Sequence, residues 1–217
     1  MDIMDVIRER HSVRQFKDTK ISDEIRTQLQ DEVEKLNKES GLHMQLFFDE
    51  PDCFKANKPH YGMFANCRNY LAIVGTKSPS LDETAGYYGE KAVLFAQSLG
   101  INSCWVALTH AKSQAVINPG EKLVIIVALG YGITSGSAHK TKPLQKLCSV
   151  DEEMPDWFKK GMEGAMLAPT AVNQQKFKIY YKDGKLTAKT GIGPCTKIDL
   201  GIVKCNFELA SGHKFED

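Results

Sequence analysis

Residues 122–132 read KLVIIVALGYG. The apolar run Leu123–Leu129 is far too short to span a bilayer, and its β-branched residues favour a strand over a helix. It reads as the most hydrophobic strand of the chain, at the centre of a sheet and covered on both faces. NYLAIVGT (69–76) has the same character, and HMQLFFD (43–49) and INSCWV (101–106) read as further extended segments. Helical patterns interleave with them. Residues 2–10 form a short helix with Ile3 and Ile7 on one face. Ser22 caps a longer helix carrying Ile25, Leu29, Val33 and Leu36, which Gly41 ends. Residues 82–100 form a helix with Ala85, Tyr88, Ala92, Phe95 and Leu99 inward, and its Gly86 and Gly89 imply a closely packed partner. Residues 155–167 form another, opened by Pro155, and 198–210 a last one. FKIYYKDGKLTAK (177–189) is a hairpin turning at Asp183-Gly184. The interleaving predicts an α/β or α+β domain with helices packed on a sheet.

A chain of 217 residues can bury a core without disulfides or metals. Lys+Arg 28 against Asp+Glu 27 does not call for a nucleic-acid partner. Six cysteines, at 53, 67, 104, 148, 195 and 205, include no C-x-x-C pair, which argues against structural zinc. The chain opens on the polar, helix-like MDIMDVIRER without a signal-peptide pattern. Reduced, buried thiols in a cytoplasmic protein are the expectation. A weak echo also stands in the sequence: Gly89-x5-Phe95-x4-Gly100 repeats in Gly201-x5-Phe207-x4-Gly212, as two diverged halves would leave it.

RHSVRQF (10–16) packs Arg10, His11, Ser12 and Arg14 into five residues. Such a segment is commonly just the charged end of a helix and a solvated turn. It also has what an anion clamp needs: two forked guanidiniums, a hydroxyl and the N–H groups of a tight turn. RERHSVRQF resembles the N-terminal signature of the FMN-dependent nitroreductase and flavin reductase family, in which this segment holds the flavin phosphate. The resemblance assigns that role to Arg10, His11, Ser12 and Arg14, and makes Phe16 the anchor of the following turn.

APTAVNQQ (168–175) resembles the second signature of the same family, with Pro169, Thr170, Ala171, Asn173 and Gln175 in register. Without the resemblance it is a helix end broken by Pro169 and followed by a polar turn. With it, small residues let the backbone approach a flat ring, and the Asn173 amide can donate to and accept from the pyrimidine edge of a flavin. Thr170 stands where Ser is usual, and Lys176-Phe177 replaces the usual Pro-aromatic pair. The segment also comes late, since in most members it follows the first signature by a few dozen residues. The order resembles a divergent, single-chain pseudo-dimeric branch, in which one half keeps the phosphate clamp and the other the ring-edge segment. One nitroreductase-like domain over 1–217, with pseudo-repeat halves of about 1–145 and 150–217, is the organisation implied.

GEKAVLFAQSLGINSCWVAL (89–108) resembles the family's middle helix and the segment beside the flavin, which nominates the backbone of Val106, Ala107 and Leu108. HKTKPL (139–144) resembles a segment returning to the phosphate and nominates Lys140 and Lys142. The family implies an α+β three-layer fold, with helices on both faces of a mixed or antiparallel central sheet. It implies FMN as cofactor, NAD(P)H as electron donor, and ping-pong hydride transfer through the flavin N5 to a nitroaromatic, quinone, enone or flavin, with no catalytic side chain. Fused halves imply a monomer where the family usually forms a homodimer, with no membrane or nucleic-acid partner. The alternative is a flavin- or nucleotide-binding module without turnover. The loop 50–67, with Phe54, His60, Tyr61 and Phe64, is the expected cap that selects the acceptor.

Overall fold

The computed structural model describes residues 2–55, 63–151 and 153–216. The α+β class holds, and the strands fall into two sheets. The chain forms two compact units. One comprises Met1–Arg8, Asp82–Glu90 and Ala138–Asp217, and the other Glu9–Leu81 and Lys91–Ser137. None of the helices among the described residues is long and apolar enough to cross a membrane. No disulfide joins any of the six cysteines.

The second unit is built on a four-stranded antiparallel sheet of order β1-β2-β4-β3, from β1 (Gln45–Phe47), β2 (Asn69–Thr76), β3 (Asn102–Val106) and β4 (Glu121–Gly130). The interior strands are β2 and β4, the two most apolar stretches of the sequence, which explains why neither needs a polar face. They pair from Asn69↔Leu129 to Thr76↔Glu121, with a register shift at Ile73/Val74. Tyr70 is fully buried, stacks on Phe47 at 4.8 Å, and its hydroxyl accepts from the N–H of Gln114 at 3.1 Å. Helix α2 (Asp23–Ser40) starts at Ser22, whose Oγ accepts from the N–H of Ile25 at 3.4 Å. It ends at Gly41, in the left-handed region at φ 71°. Between these elements, Pro51–Phe54 forms one 3-10 turn.

The first unit carries the three-stranded sheet β5-β6-β7, from β5 (Cys148–Val150), β6 (Phe177–Lys182) and β7 (Lys185–Thr190). β5 lies parallel to β6, and the β6–β7 hairpin turns at Asp183 (φ 52°) and Gly184 (φ 74°), the two positive φ values of a type I′ turn. The short helix α4 (Leu144–Leu147) leads directly into β5. Helices α5 (Asp156–Leu167) and α6 (Thr196–Ser211) pack closely because α5 presents glycine. A Cβ on Gly161 would meet the Phe207 ring at 2.5 Å, and one on Gly164 the Asn206 carbonyl oxygen at 2.6 Å. Pro155 precedes α5 as its cap residue, not as its first-turn residue.

Helix α1 (Ile3–Glu9) buries Val6 and Ile7, while Ile3 is half-exposed. In α3 (Leu81–Ser98), Ala85 and Ala92 are buried as their spacing implies, but so are Val93, Leu94 and Ala96, whereas Tyr88 and Phe95 are half-buried. Within the first unit, the Asp82–Glu90 part of α3 crosses α6 through glycine on each side. A Cβ on Gly86 would overlap the Ile198 carbonyl, and one on Gly201 the Glu83 carbonyl. The close partner expected for Gly86 is therefore the backbone of α6.

Candidate functional site

In the second unit, residues 12–16 leave α1 as an extended segment held by backbone. The N–H of Val13 donates to the Ser103 carbonyl at 2.9 Å, and that of Phe16 to the Ala65 carbonyl at 3.0 Å. Phe16 is buried and anchors the segment against Gly130, where a Cβ would stand 2.8 Å from its ring. Three of the four clamp residues act on the buried Cys104 thiol of β3. Ser12 hydrogen-bonds the thiol, and Arg14 and Arg10 act on it electrostatically. Burial is the largest influence and pushes the thiol up, while Arg14, Ser12 and Arg10 pull it back. Arg10 itself is only 4% exposed. The fourth, His11, turns its ring to the end of α1, with Nδ1 3.0 Å from the Glu9 carbonyl.

The loop 133–137 closes over this segment. Gly136 is left-handed (φ 80°), and a Cβ there would lie 2.7 Å from His11 Cβ and 3.1 Å from the Ser12 carbonyl oxygen. Only glycine lets the two backbones lie this close. Ser103, bridged to Ser12, is fully buried and its Oγ has no hydrogen-bond partner among the described residues. Two guanidiniums, a hydroxyl and a close backbone turn fit an anionic group such as a phosphate. Beside them, Val106 is buried at the end of β3, while Ala107 and Leu108 are exposed.

In the first unit, residues 168–175 form a strained, heavily tethered turn. Ala171–Asn173 is a 3-10 turn, and Val172 (φ 46°), Asn173 (φ 54°) and Gln175 (φ 43°) are all left-handed. A β-branched residue in this region is held there by its surroundings. The tethers are specific. Thr170 Oγ1 accepts from the N–H of Gln175 at 3.1 Å. Buried Gln175 accepts from the N–H of Lys142 at 2.8 Å, and its Nε2 donates to the Lys140 carbonyl and to Asn173 Oδ1, each at 2.8 Å. Asn173 Nδ2 donates to the same Lys140 carbonyl at 2.9 Å. Lys142 Nζ donates to the carbonyls of Gln174 at 2.7 Å and Gln175 at 3.1 Å.

Lys140, Lys142, Thr170, Asn173 and Gln175 are thus one knot, with Pro169 and Ala171 as its entry. The family resemblance nominates Lys142 for a phosphate, yet two of its three Nζ donors are engaged by the turn's own carbonyls. Asn173 is exposed and keeps one N–H and one lone pair for a ligand. Val172 stands out beside it, 64% exposed.

Two residues at this site are not singled out by the sequence. Asp199, in the first turn of α6, is 6% exposed. Its Oδ1 accepts from the N–H of Ala171 at 2.9 Å and its Oδ2 from Gln174 Nε2 at 2.7 Å. Burial pushes its carboxyl up to about 6, against the two donors. The available signal is an acid inside the apolar run Ile198-Asp199-Leu200. Gln174, whose Nε2 also donates to the Pro194 carbonyl at 2.8 Å, gives no signal beyond its neighbours. Of the expected cap, Phe54 and Phe64 pack together at 5.2 Å and Phe54 meets Tyr70 edge-on at 5.9 Å, while His60 and Tyr61 lie outside the described residues.

An α+β fold bearing these two segments is of the nitroreductase type. The chain belongs to the family described as "Putative TM nitroreductase", whose model it matches over residues 2–211. It is similar to the crystal structure of a "putative nitroreductase" of Thermotoga maritima, with 26% identity, a TM-score of 0.68, and coverage of 97% of this chain and 83% of that one. A second similar structure, a nitroreductase-like protein of Desulfovibrio desulfuricans in complex with FMN, has 18% identity, a TM-score of 0.55, and coverage of 67% and 94%. An FMN-dependent nitroreductase of Clostridium difficile gives 15% identity, a TM-score of 0.50, and coverage of 62% and 90%. The last two likenesses concern the fold alone. No curated protein matches the chain.

Proposed function

We propose that this nitroreductase-family chain is an FMN-dependent NAD(P)H oxidoreductase acting on electron-poor small molecules: nitroaromatics, quinones, enones or flavins. The observation that carries this reading is that Arg10, Ser12 and Arg14 stand on one segment, pinned by backbone to Ser103 and all acting on the buried Cys104 thiol, beside a loop that only glycine lets approach. FMN held there would supply the redox chemistry, a site for hydride from a nicotinamide and for electron delivery to the acceptor.

The chain's own residues bind and orient. Arg10 and Arg14 neutralise the phosphate, and Ser12 adds a directional donor. Asn173 reads the pyrimidine edge with the N–H and lone pair that Gln175 and Lys140 leave open. The backbone of Val106, Ala107 and Leu108 lines the ring, and Lys140 and Lys142 add positive charge for the phosphate or for the negative charge of the reduced ring. No side chain in either segment is required as acid or base, since the donors act by stabilising charge on the ring.

The test is the visible absorption spectrum of the purified protein, followed by anaerobic addition of NADPH and then NADH. A flavin spectrum that bleaches supports the oxidoreductase. A flavin spectrum that stays oxidised replaces it with a binding module without turnover. No flavin, even after incubation with FMN and desalting, defeats both.

A further inference from the structure

A turn with three left-handed residues in four positions does not hold itself. Each such residue is strained, so the surroundings must over-determine the conformation. Three tethers of the 170–175 turn are neutral amide contacts with residues 140–142, and two more come from the Lys142 ammonium. The carboxylate of Asp199 is different. It sits on a helix, it is nearly fully buried, and its two oxygens take one donor from each end of the 3-10 turn, Ala171 N–H and Gln174 Nε2. Asn173 lies between those two points. We propose that Asp199 is a positioning residue: by holding Ala171 and Gln174 it fixes the angle at which Asn173 meets the flavin ring edge. This inference rests on the FMN reading above.

The environment of Asp199 favours a role beyond stability. A buried carboxylate opposed only by neutral donors is poorly solvated, and its carboxyl is raised to about 6, first by burial. Among the described residues, the groups that shift it are the two neutral donors, Ala171 N–H and the Gln174 amide. Asp199 and Asp82 of α3 both act on the thiol of Cys195, which caps α6, and the Lys176 ammonium lies beside the Gln174 amide, Nζ and Oε1 each being 2.9 Å from where a Cβ on Gly193 would stand. For fold stability an uncharged side chain would avoid the cost of burying this charge, at the loss of one acceptor. An ionised acid here instead supplies two strong, charge-assisted acceptors to the turn. Protonation would turn an O–H toward the Gln174 amide and release that end of the turn.

The experiment titrates FMN, and separately riboflavin, into flavin-free protein from pH 5 to 8. It follows the quenching of flavin fluorescence for wild type and Asp199→Asn, with thermal melts in parallel. At pH 8 the variant should bind both flavins about tenfold more weakly, as expected for loss of one charge-assisted contact. It should nevertheless melt at a higher temperature than wild type. The affinity ratio should shrink toward one near pH 5, where the wild-type carboxyl is protonated. The phosphate's own proton loss near pH ~6 alters FMN binding in both proteins and riboflavin binding in neither, so it cancels in the ratio.

Equal affinities at every pH, with both proteins binding, would overturn the proposal and leave the FMN reading intact. Weaker binding accompanied by a lower melting temperature at every pH would also overturn it, marking Asp199 as structural only. If Asp199→Asn does not fold, Gln174→Met decides: it removes one donor and keeps the acid, and unchanged affinity counts against the proposal. Wild type that binds no flavin overturns this inference together with the reading it rests on.

Discussion

Lys142 and Gln175 hold each other twice: the Lys142 N–H donates to Gln175 Oε1 at 2.8 Å, and Lys142 Nζ donates to the Gln175 carbonyl at 3.1 Å. The pair joins two stretches 33 residues apart in sequence into one rigid edge. Gln175→Leu would leave the Lys142 N–H unpaired and take a donor from both the Lys140 carbonyl and Asn173. A loss of about 2–4 kcal/mol is expected in urea unfolding, from buried polar groups left without partners. A loss below about 0.5 kcal/mol, the level of an ordinary surface change, would show that the knot is not what fixes the turn.

The crossing of α3 and α6 is governed by backbone, not by side chains that can move aside. Gly86→Ala and Gly201→Ala each drive a methyl into a carbonyl oxygen and should cost about 3 kcal/mol or more. Gly41→Ala is the contrast, because its Cβ would meet nothing within 4 Å and only the left-handed φ of 71° opposes it. About 1–2 kcal/mol is expected there. Denaturant midpoints in the reverse order would contradict the packing argument.

Asp199 gives stability a pH dependence of defined sign. Its folded carboxyl, at about 6, lies above the ordinary aspartate value of 3.8, so the folded state binds the proton more tightly. As pH rises from about 4 to about 6 the unfolded chain ionises first, and stability falls. The difference between those two values corresponds to roughly 3 kcal/mol, fully lost above pH ~6 and recovered as pH falls toward ~4. In Asp199→Asn this segment of the curve should be flat, as measured by thermal or urea unfolding at fixed ionic strength. A wild-type curve that rises across the same window would contradict the assignment.

The clamp predicts a division between FMN and riboflavin. Arg10→Ala with Arg14→Ala should weaken FMN by about a hundredfold, at about tenfold per charge-assisted contact. Riboflavin, which has no phosphate, should change by less than about threefold. Fluorescence titration separates the cases, and equal losses for both ligands would mean that the arginines serve the fold.

Much of this architecture can be read from local patterning. β2 and β4 announce themselves by continuous apolar residues, α2 by Ser22 and Gly41 at its ends, and the last hairpin by Asp183-Gly184. β5 cannot be read that way, because three residues become a strand only through pairing with Ile179, Tyr180 and Tyr181 some thirty positions later. The same divide runs through the candidate site. Arg10, Ser12 and Arg14 are legible as residue types in close succession. Asp199 is not, since its meaning depends on Ala171, 28 residues away. Left-handed Val172 runs against its own β-branched preference, so no propensity argument reaches it. Lys142 shows another limit of the sequence: resemblance nominates it for a phosphate, and only the structure shows that two of its Nζ donors also go to the carbonyls of Gln174 and Gln175.

The first unit is assembled from three separate pieces of chain, and Arg8 of α1 meets Glu163 of α5 at 2.7 Å across 155 positions of sequence. On a ribosome this has a consequence for timing. The four strands of the second unit are all synthesised by residue 130, so their sheet can close while the rest is still being made. Helix α1 and the Asp82–Glu90 part of α3 emerge early, but the partners that they meet in this unit, α5 at Arg8 and α6 at Gly86, are made last. During translation helix α1 is therefore made before any strand described here and is yet among the last of these elements to find its place, with Val6 and Ile7 open to a chaperone in the interval.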